Sequence, residues 1–272
     1  MKSNELLDLY SDYLLASFGA TTATGLSQLV DNLVSHDQIT RFLAREKQTA
    51  KDLWRIAKPL VRQVQAKTAA LIIDDTIEEK PYTDENEIVA WHFDHSKGRS
   101  VKGINFVSAL YEAGGVSLPV GFEVISKTEH YLDKKTQKEK RRSAVTKNEI
   151  CRGLIRQAIK NELPFEFVLF DSWFASAETM KFIKTEHQRD FICPLKSNRK
   201  VALSMNDKLK GRFQAVATLS LEANTKREIY LEGVEFPLTL AKQSFTNEDG
   251  STGVLYLVAS DTTVDYNRLT TS

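Results

Sequence analysis

Cysteine is scarce in this 272-residue chain: Cys151 and Cys193 are far apart and lack the paired spacing of a zinc site. A disulfide framework and a structural zinc centre are both excluded, and a reducing compartment, the cytoplasm, fits. No stretch approaches the roughly 20 apolar residues of a membrane-spanning helix. The first ten residues already contain Glu5 and Asp8 and have no apolar run of signal length. No partner membrane is therefore expected. Charge of one sign is also missing, because 37 Lys and Arg face 36 Asp and Glu. A net charge of +1 gives no warrant for nucleic-acid binding, so any basic surface must come from local clustering. Internal repeats and low-complexity linkers are absent too. What remains is 42% apolar and 27% charged, the composition of a folded globular protein long enough for one elaborated domain or two ordinary ones.

The front of the chain, residues 1–68, reads as helices. Leu6, Leu7, Tyr10, Leu14 and Phe18 recur at helical spacing, as do Leu26, Leu29, Val30, Leu33 and Val34 after a Thr24 cap. A break at Ser35-His36 precedes a third helix with Ile39, Phe42 and Leu43 on its apolar face, and the two short helices resemble a helix-turn-helix. A fourth helix over 49–65 sets an apolar stripe (Leu53, Ala57, Leu60, Val64) against a basic one (Lys51, Arg55, Lys58, Arg62). Such a stripe is either a solvated face or a phosphate-contacting one that gains affinity by releasing counterions.

From Ala69 the pattern changes to strands. The run Ala69 to Ile73 has the length and continuity of a central strand covered on both faces, and it stops at Asp74-Asp75. After a polar, irregular stretch, Val101 to Tyr111, a Gly114-Gly115 turn and Val116 to Ile125 read as a hairpin. The segment 133–147 is polar and strongly basic (Lys134, Lys135, Lys138, Lys140, Arg141, Arg142) and reads as a loop. A helix marked by Ile150, Leu154, Ile155, Ala158 and Ile159 follows. Beyond Pro164 a buried strand, Phe165 to Phe170, is closed by Asp171. A helix over 175–185, a strand at Phe191 to Cys193, and a β-rich stretch over 201–260 complete the pattern.

Two strands in this order end in an aspartate. In a mixed sheet whose first and fourth strands are neighbours, both carboxylates emerge at one edge and repel each other unless a cation lies between them. Magnesium suits that role, since it takes carboxylate oxygens and keeps positions for phosphate and water. The matching chemistry is in-line attack at phosphorus, with two metal ions about 3.5–4 Å apart. The competing reading is structural, since aspartates also cap helices and occupy strand-to-loop junctions.

Four blocks in succession, Ile72-Ile73-Asp74-Asp75-Thr76, Asp94-His95-Ser96-Lys97-Gly98-Arg99, Val168-Leu169-Phe170-Asp171-Ser172-Trp173-Phe174 and Leu195-Lys196-Ser197-Asn198-Arg199, resemble the DDE insertion-sequence transposases of the "insertion sequence four" family. The resemblance runs across most of the chain. It implies an α/β fold: a ribonuclease H-like mixed sheet with a helical N-terminal region and a β-rich insertion. The implied divisions are a DNA-binding region at 1–68, a catalytic core at 69–200, the insertion at 201–260, and the start of an incomplete C-terminal part of the core at 261–272. It also implies Asp75, directly before the threonine, as first catalytic and metal-binding acid, with Asp74 as fallback, and Asp171 as second. Mg2+ or Mn2+ is the implied cofactor.

The family's third acid is a glutamate on a helix after the insertion, in a block where tyrosine is followed by arginine, glutamate and lysine. Neither Tyr256 nor Tyr266 begins that block, and Glu222, Glu228, Glu232, Glu235 and Glu248 lie in strands and turns. The chain is therefore expected to stop before the third acid and to be inactive or nearly so. The implied partners are double-stranded DNA, both terminal inverted repeats and target DNA, and a second copy in a synaptic complex, in the bacterial cytoplasm at the nucleoid. Candidate DNA contacts are Arg55, Lys58, Arg62, Arg141, Arg142, Lys196, Arg199 and Lys200. Trp173, two residues past Asp171, is a candidate for base stacking, against the alternative of a partly buried core tryptophan. His95 in its loop can assist proton transfer or touch phosphate, although a lone loop histidine usually does neither. The alternatives to a transposase are a ribonuclease H-like nuclease without strand transfer, and a non-catalytic DNA-binding remnant or inhibitor.

Overall fold

A computed structural model describes residues 3–19, 21–45, 48–134, 136–222 and 224–271. Lys135 and the terminal Ser272 lie outside the described residues. The chain forms two compact units, Met1–Thr49 and Ala50–Ser272. Among the described residues no helix is long and apolar enough to cross a membrane.

The smaller unit consists of α1 (Ser3–Ala16), α2 (Ala23–Leu29) and α3 (His36–Ala44) around Leu6, Tyr13, Leu26, Val34 and Ile39. The cap of α2 is Thr22 rather than Thr24: its hydroxyl accepts from the Gly25 amide at 2.9 Å. The helix also ends earlier than its apolar spacing suggests, because Asp31 and Asn32 take φ of 50° and 58°, which turns the chain away from helix. Val34 is buried from that turn while Leu33 points outward. A capping box between Ser35 and Gln38 then starts α3.

In the larger unit, α4 (Ala50–Val64) packs along β4, so the helical stretch of 1–68 is divided between the two units. Its buried side is Ala57 and Val61, four residues apart, whereas Leu60 is about half exposed. Four strands follow: β1 (Ala70–Glu79), β2 (Val89–Asp94), β3 (Arg99–Ala113) and β4 (Val116–Val124). The Gly114-Gly115 turn has φ of 60° and 82°, the positive pair that a tight hairpin needs. β2 occupies the stretch read as irregular. The basic segment is only partly a loop: β5 (Glu129–Leu132) and β6 (Glu139–Arg142) pair as a separate ribbon that puts Lys140, Arg141 and Arg142 on a strand, with Lys134 and Lys138 in the turn between. Then come α5 (Lys147–Lys160), β7 (Phe167–Phe170), α6 (Ala177–Lys181) continuing into a π-turn, and β8 (Asp190–Pro194). The last part holds β9 (Lys200–Ala202), α7 (Met205–Leu209), β10 (Gln214–Ala215), β11 (Thr225–Leu231), β12 (Leu238–Thr246), β13 (Thr252–Ala259) and α8 (Tyr266–Thr271).

One large mixed sheet runs β10-β9-β11-β12-β13-β8-β7-β1-β3-β2, with β4 also on β3. β3 is antiparallel to β1, while β1, β7 and β8 are mutually parallel neighbours. This is a ribonuclease H-like arrangement. The strands of 201–260 extend the sheet from β8 instead of forming a separate layer. One sheet face carries Leu71, Ile73, Val107, Val168 and Phe170 beneath Val61 of α4 and Ile155 of α5. Phe167 and Ile192, alternating with those residues, face the other way and join Val264 and Leu269 near α8. Tyr111 ties layers together, donating to the Pro164 carbonyl at 2.8 Å and accepting from the Ala66 amide at 3.1 Å.

Candidate active site

The parallel pairing of β1 and β7 runs from Ala70↔Phe167 to Ile73↔Phe170. The next residue on each strand is an aspartate, so continued register sets Asp74 beside Asp171 at the carboxyl edge of the sheet. Side chains alternate along a strand. Asp75 therefore shares the covered face with Ile73, and Asp74 the opposite one. The burial follows that alternation, with Asp74 exposed and Asp75 half-buried.

The electrostatics separate the two further. Asp75 Oδ2 is ion-paired at 2.6 Å with Nζ of Lys147, the first residue of α5. Asp74 Oδ1 accepts from the Asp75 amide at 2.8 Å. Although the residue is exposed as a whole, partial burial of its carboxyl raises Asp74 above its ordinary value, repulsion from Asp75 and Asp171 raises it further, and the Asp75 amide and Lys147 act in the opposite sense. Asp171 accepts from the Ser172 amide. Behind Asp75, on the covered face, lies a cationic and polar group. Lys127 reaches the Trp91 carbonyl and is lowered by burial, with Lys147 adding to the effect. His92, buried on β2, is pushed down to about 4 by burial and then by Lys127 and Lys147. Its Nε2 has no protein partner, nor does the side-chain amide of the fully buried Asn105.

Trp173 is not a core residue. It is 47% exposed, while its neighbour Phe174 fills the core. Its ring lies 4.4 Å from that of His95, which lies 4.6 Å from that of Phe93. Lys196 Nζ sits 3.9 Å from the Trp173 ring centroid. Arg199 donates to the Ala175 carbonyl at 2.7 Å, which holds it against the loop that follows Asp171. Lys196 and Arg199 thus both lie against the segment that follows Asp171. Lys200 opens β9, on the far side of β11, β12 and β13 from β8.

The other basic candidates are spread out. Arg55 pairs with Asp52 at 3.3 Å, Lys58 is exposed, and Arg62 donates to the carbonyls of Asn161 and Glu162, each at 3.4 Å. Arg142 is paired with Glu129 at 2.8 Å and lies over Tyr131, while Arg141 stands on the other side of the ribbon, opposite His130. Lys147 and Phe93 escaped the sequence reading. The Thr146 cap signal could have located Lys147 at a helix start, but its partner is visible only in three dimensions.

The residues suit a divalent cation in part. Asp74 and Asp171 offer hard oxygen donors, and the part of the upward shift of Asp74 that comes, after burial, from repulsion by Asp75 and Asp171 is what a cation would relieve. Among the described residues no group of three or more His, Cys, Asp or Glu gathers around them.

No curated protein matches the chain. The DDE superfamily endonuclease family matches residues 2–212, a span that takes in both aspartates, the strands that carry them and the Lys196 to Arg199 loop. Endonucleases of this superfamily act on DNA with divalent metals. With more than three quarters of its 272 residues inside that match, the chain belongs to the DDE superfamily of endonucleases.

Proposed function

We propose that the protein is a DNA transposase that binds the terminal inverted repeats of its element and that, where all three acids are present, hydrolyses phosphodiesters there and joins the freed ends to target DNA. The observation that carries this reading is the pair of carboxylates at adjacent parallel strand ends, Asp74 and Asp171. Asp74 is proposed as the first acid in place of Asp75, because the register supports Asp74 as the neighbour of Asp171 and because Lys147 already neutralises Asp75.

Asp74 and Asp171 would hold Mg2+ or Mn2+, and a bound metal supplies activation of the attacking oxygen and stabilisation of the leaving one. The chain's own groups do the rest. Lys196 and Arg199 bind the phosphates flanking the scissile bond, Arg199 from a position fixed by Ala175. Arg55, Lys58, Arg62, Arg141, Arg142 and Lys200 extend the contact along duplex DNA. A second copy holds the paired end in a synaptic complex.

The test combines labelled terminal-repeat DNA, a target plasmid and Mn2+ with the full chain. Joined product supports the transposase. Cleavage without joining replaces it with a nuclease that lacks strand transfer, and binding with neither is the outcome expected for a chain without the third acid, which is then a DNA-binding remnant or inhibitor; robust cleavage overturns the expected loss of activity. Mn2+ binding followed by electron paramagnetic resonance assigns the acids: Asp74→Asn and Asp171→Asn should each weaken it at least about tenfold, about 1.4 kcal/mol, with Asp75→Asn close to the parent. The reverse ranking of Asp74 and Asp75 restores Asp75 as first acid.

A further inference from the structure

Lys147 is set between the two strand ends by the start of α5. In the capping box there, Thr146 Oγ1 accepts from the Glu149 amide at 3.2 Å and Glu149 accepts from the Thr146 amide at 2.7 Å, which fixes the first turn. The next residue, Asn148, donates to the Trp173 carbonyl at 3.4 Å and accepts from the Thr179 hydroxyl at 3.2 Å. One turn of helix therefore touches β1 through Lys147 and the segment after Asp171 through Asn148. A cation in the first turn is opposed by the positive end of the helix dipole. What holds the Lys147 ammonium in place is Asp75, at 2.6 Å and with both groups partly buried. Lys127, the other cation behind Asp75, is drawn elsewhere: its ammonium donates to the Trp91 carbonyl and has Glu85 as a counter-charge.

We infer that the strand ends take a single divalent ion, held by Asp74 and Asp171, and that the Lys147 ammonium, through Asp75, fills the place of a second. The inference rests on the proposed metal-binding role of Asp74 and Asp171. Two ions acting together on one phosphate lie about 3.5–4 Å apart, so each needs its own carboxylate near the other. No group of three or more His, Cys, Asp or Glu gathers at the strand ends among the described residues. A second ion would therefore depend on Asp75, and on that carboxylate it would meet the ammonium already bound there. Like charges in such close contact repel strongly where burial weakens screening. Charge balance points the same way. Asp75, Asp171 and Lys147 all act electrostatically on Asp74. Three carboxylates and one ammonium leave an excess of two negative charges, which one divalent ion neutralises and two would overshoot.

The test counts Mn2+ on the full chain by electron paramagnetic resonance, first alone and then with an uncleavable terminal-repeat duplex, and needs no turnover. The parent should bind one Mn2+ and give the spectrum of an isolated ion in both conditions. Lys147→Gln should bind two and show the spin coupling of ions about 3.5–4 Å apart. Lys147→Arg keeps the charge and should bind one. Lys147→Gln combined with Asp75→Asn should return to one, which assigns the second ion to Asp75. Because the effect expected of Lys147→Gln is a gain, misfolding cannot imitate it. A coupled pair in the parent, or a single ion in Lys147→Gln, overturns the inference while the assignment of Asp74 and Asp171 stands. A parent that binds no Mn2+ overturns that assignment, and the inference falls with it.

Discussion

Asp74 and Asp75 are adjacent in sequence and opposite in physical situation, and that contrast gives a test free of catalysis. Asp74 is raised by burial and by two like charges, so its ionised form is a burden on the folded protein when no cation is present. The sign follows from linkage: a carboxyl raised in the folded state makes folding less favourable as pH climbs through its unfolded value. Asp74→Asn keeps an oxygen for the Asp75 amide and removes the repulsion. It should therefore raise the thermal midpoint in EDTA and abolish the upward shift that Mn2+ gives the parent, since a ligand stabilises only the state that binds it. Asp75→Asn strands Lys147 at a half-buried position and should cost about 1 kcal/mol, with the Mn2+ shift retained. Differential scanning fluorimetry with and without Mn2+ reads both, and a destabilised Asp74→Asn in EDTA would sink the repulsion argument.

The elements most legible in the sequence were those set by continuous apolar runs. Ala69 to Ile73 and Phe165 to Phe170 read as buried strands because both of their faces are covered, and the parallel neighbourhood of the strands at 70–79 and 167–170 follows that reading. Register was not legible: pairing Asp74 with Asp171 depends on where two distant segments align, and no local pattern carries that. β2 was missed because its Trp91 and Phe93 are exposed, leaving only a short alternation amid polar residues. The Glu129–Leu132 and Glu139–Arg142 ribbon was hidden for a related reason. Its strands are almost wholly exposed and are held by cross-strand ion pairs such as Glu129 with Arg142, which leave no apolar signature. One helix start was written plainly. Thr146 and Glu149 form a capping box at the head of α5, and the next residue is Lys147. Thr146→Ala should cost about 1 kcal/mol by urea denaturation, with a higher Mn2+ affinity than Thr146→Ser, because a Lys147 ammonium loosened from Asp75 no longer offsets the negative charge beside the acids. Equal Mn2+ affinity in the two variants would confine the cap to stability alone.

At the scale of the whole molecule, two units of very unequal core share one chain. The 49-residue unit has a buried cluster of five side chains and leaves Leu15, Phe18, Leu29 and Leu33 more than two-thirds exposed. The larger unit is organised by one long sheet and a core running from Val61 to Val258. Burial scales against small domains, and a three-helix unit of this size with no disulfide is marginal. The sequence supplies a way to watch each unit separately. All three tryptophans, Trp54, Trp91 and Trp173, lie after residue 50, so tryptophan emission reports the larger unit alone. Far-ultraviolet circular dichroism also registers α1 to α3. In guanidinium the helical signal should begin to fall at a lower concentration than the emission changes, since two transitions that do not coincide are the mark of units unfolding separately. Coincident curves would mean that the small unit draws its stability from the rest of the protein, and the DNA-binding role proposed for the front helices would then be inseparable from the catalytic sheet.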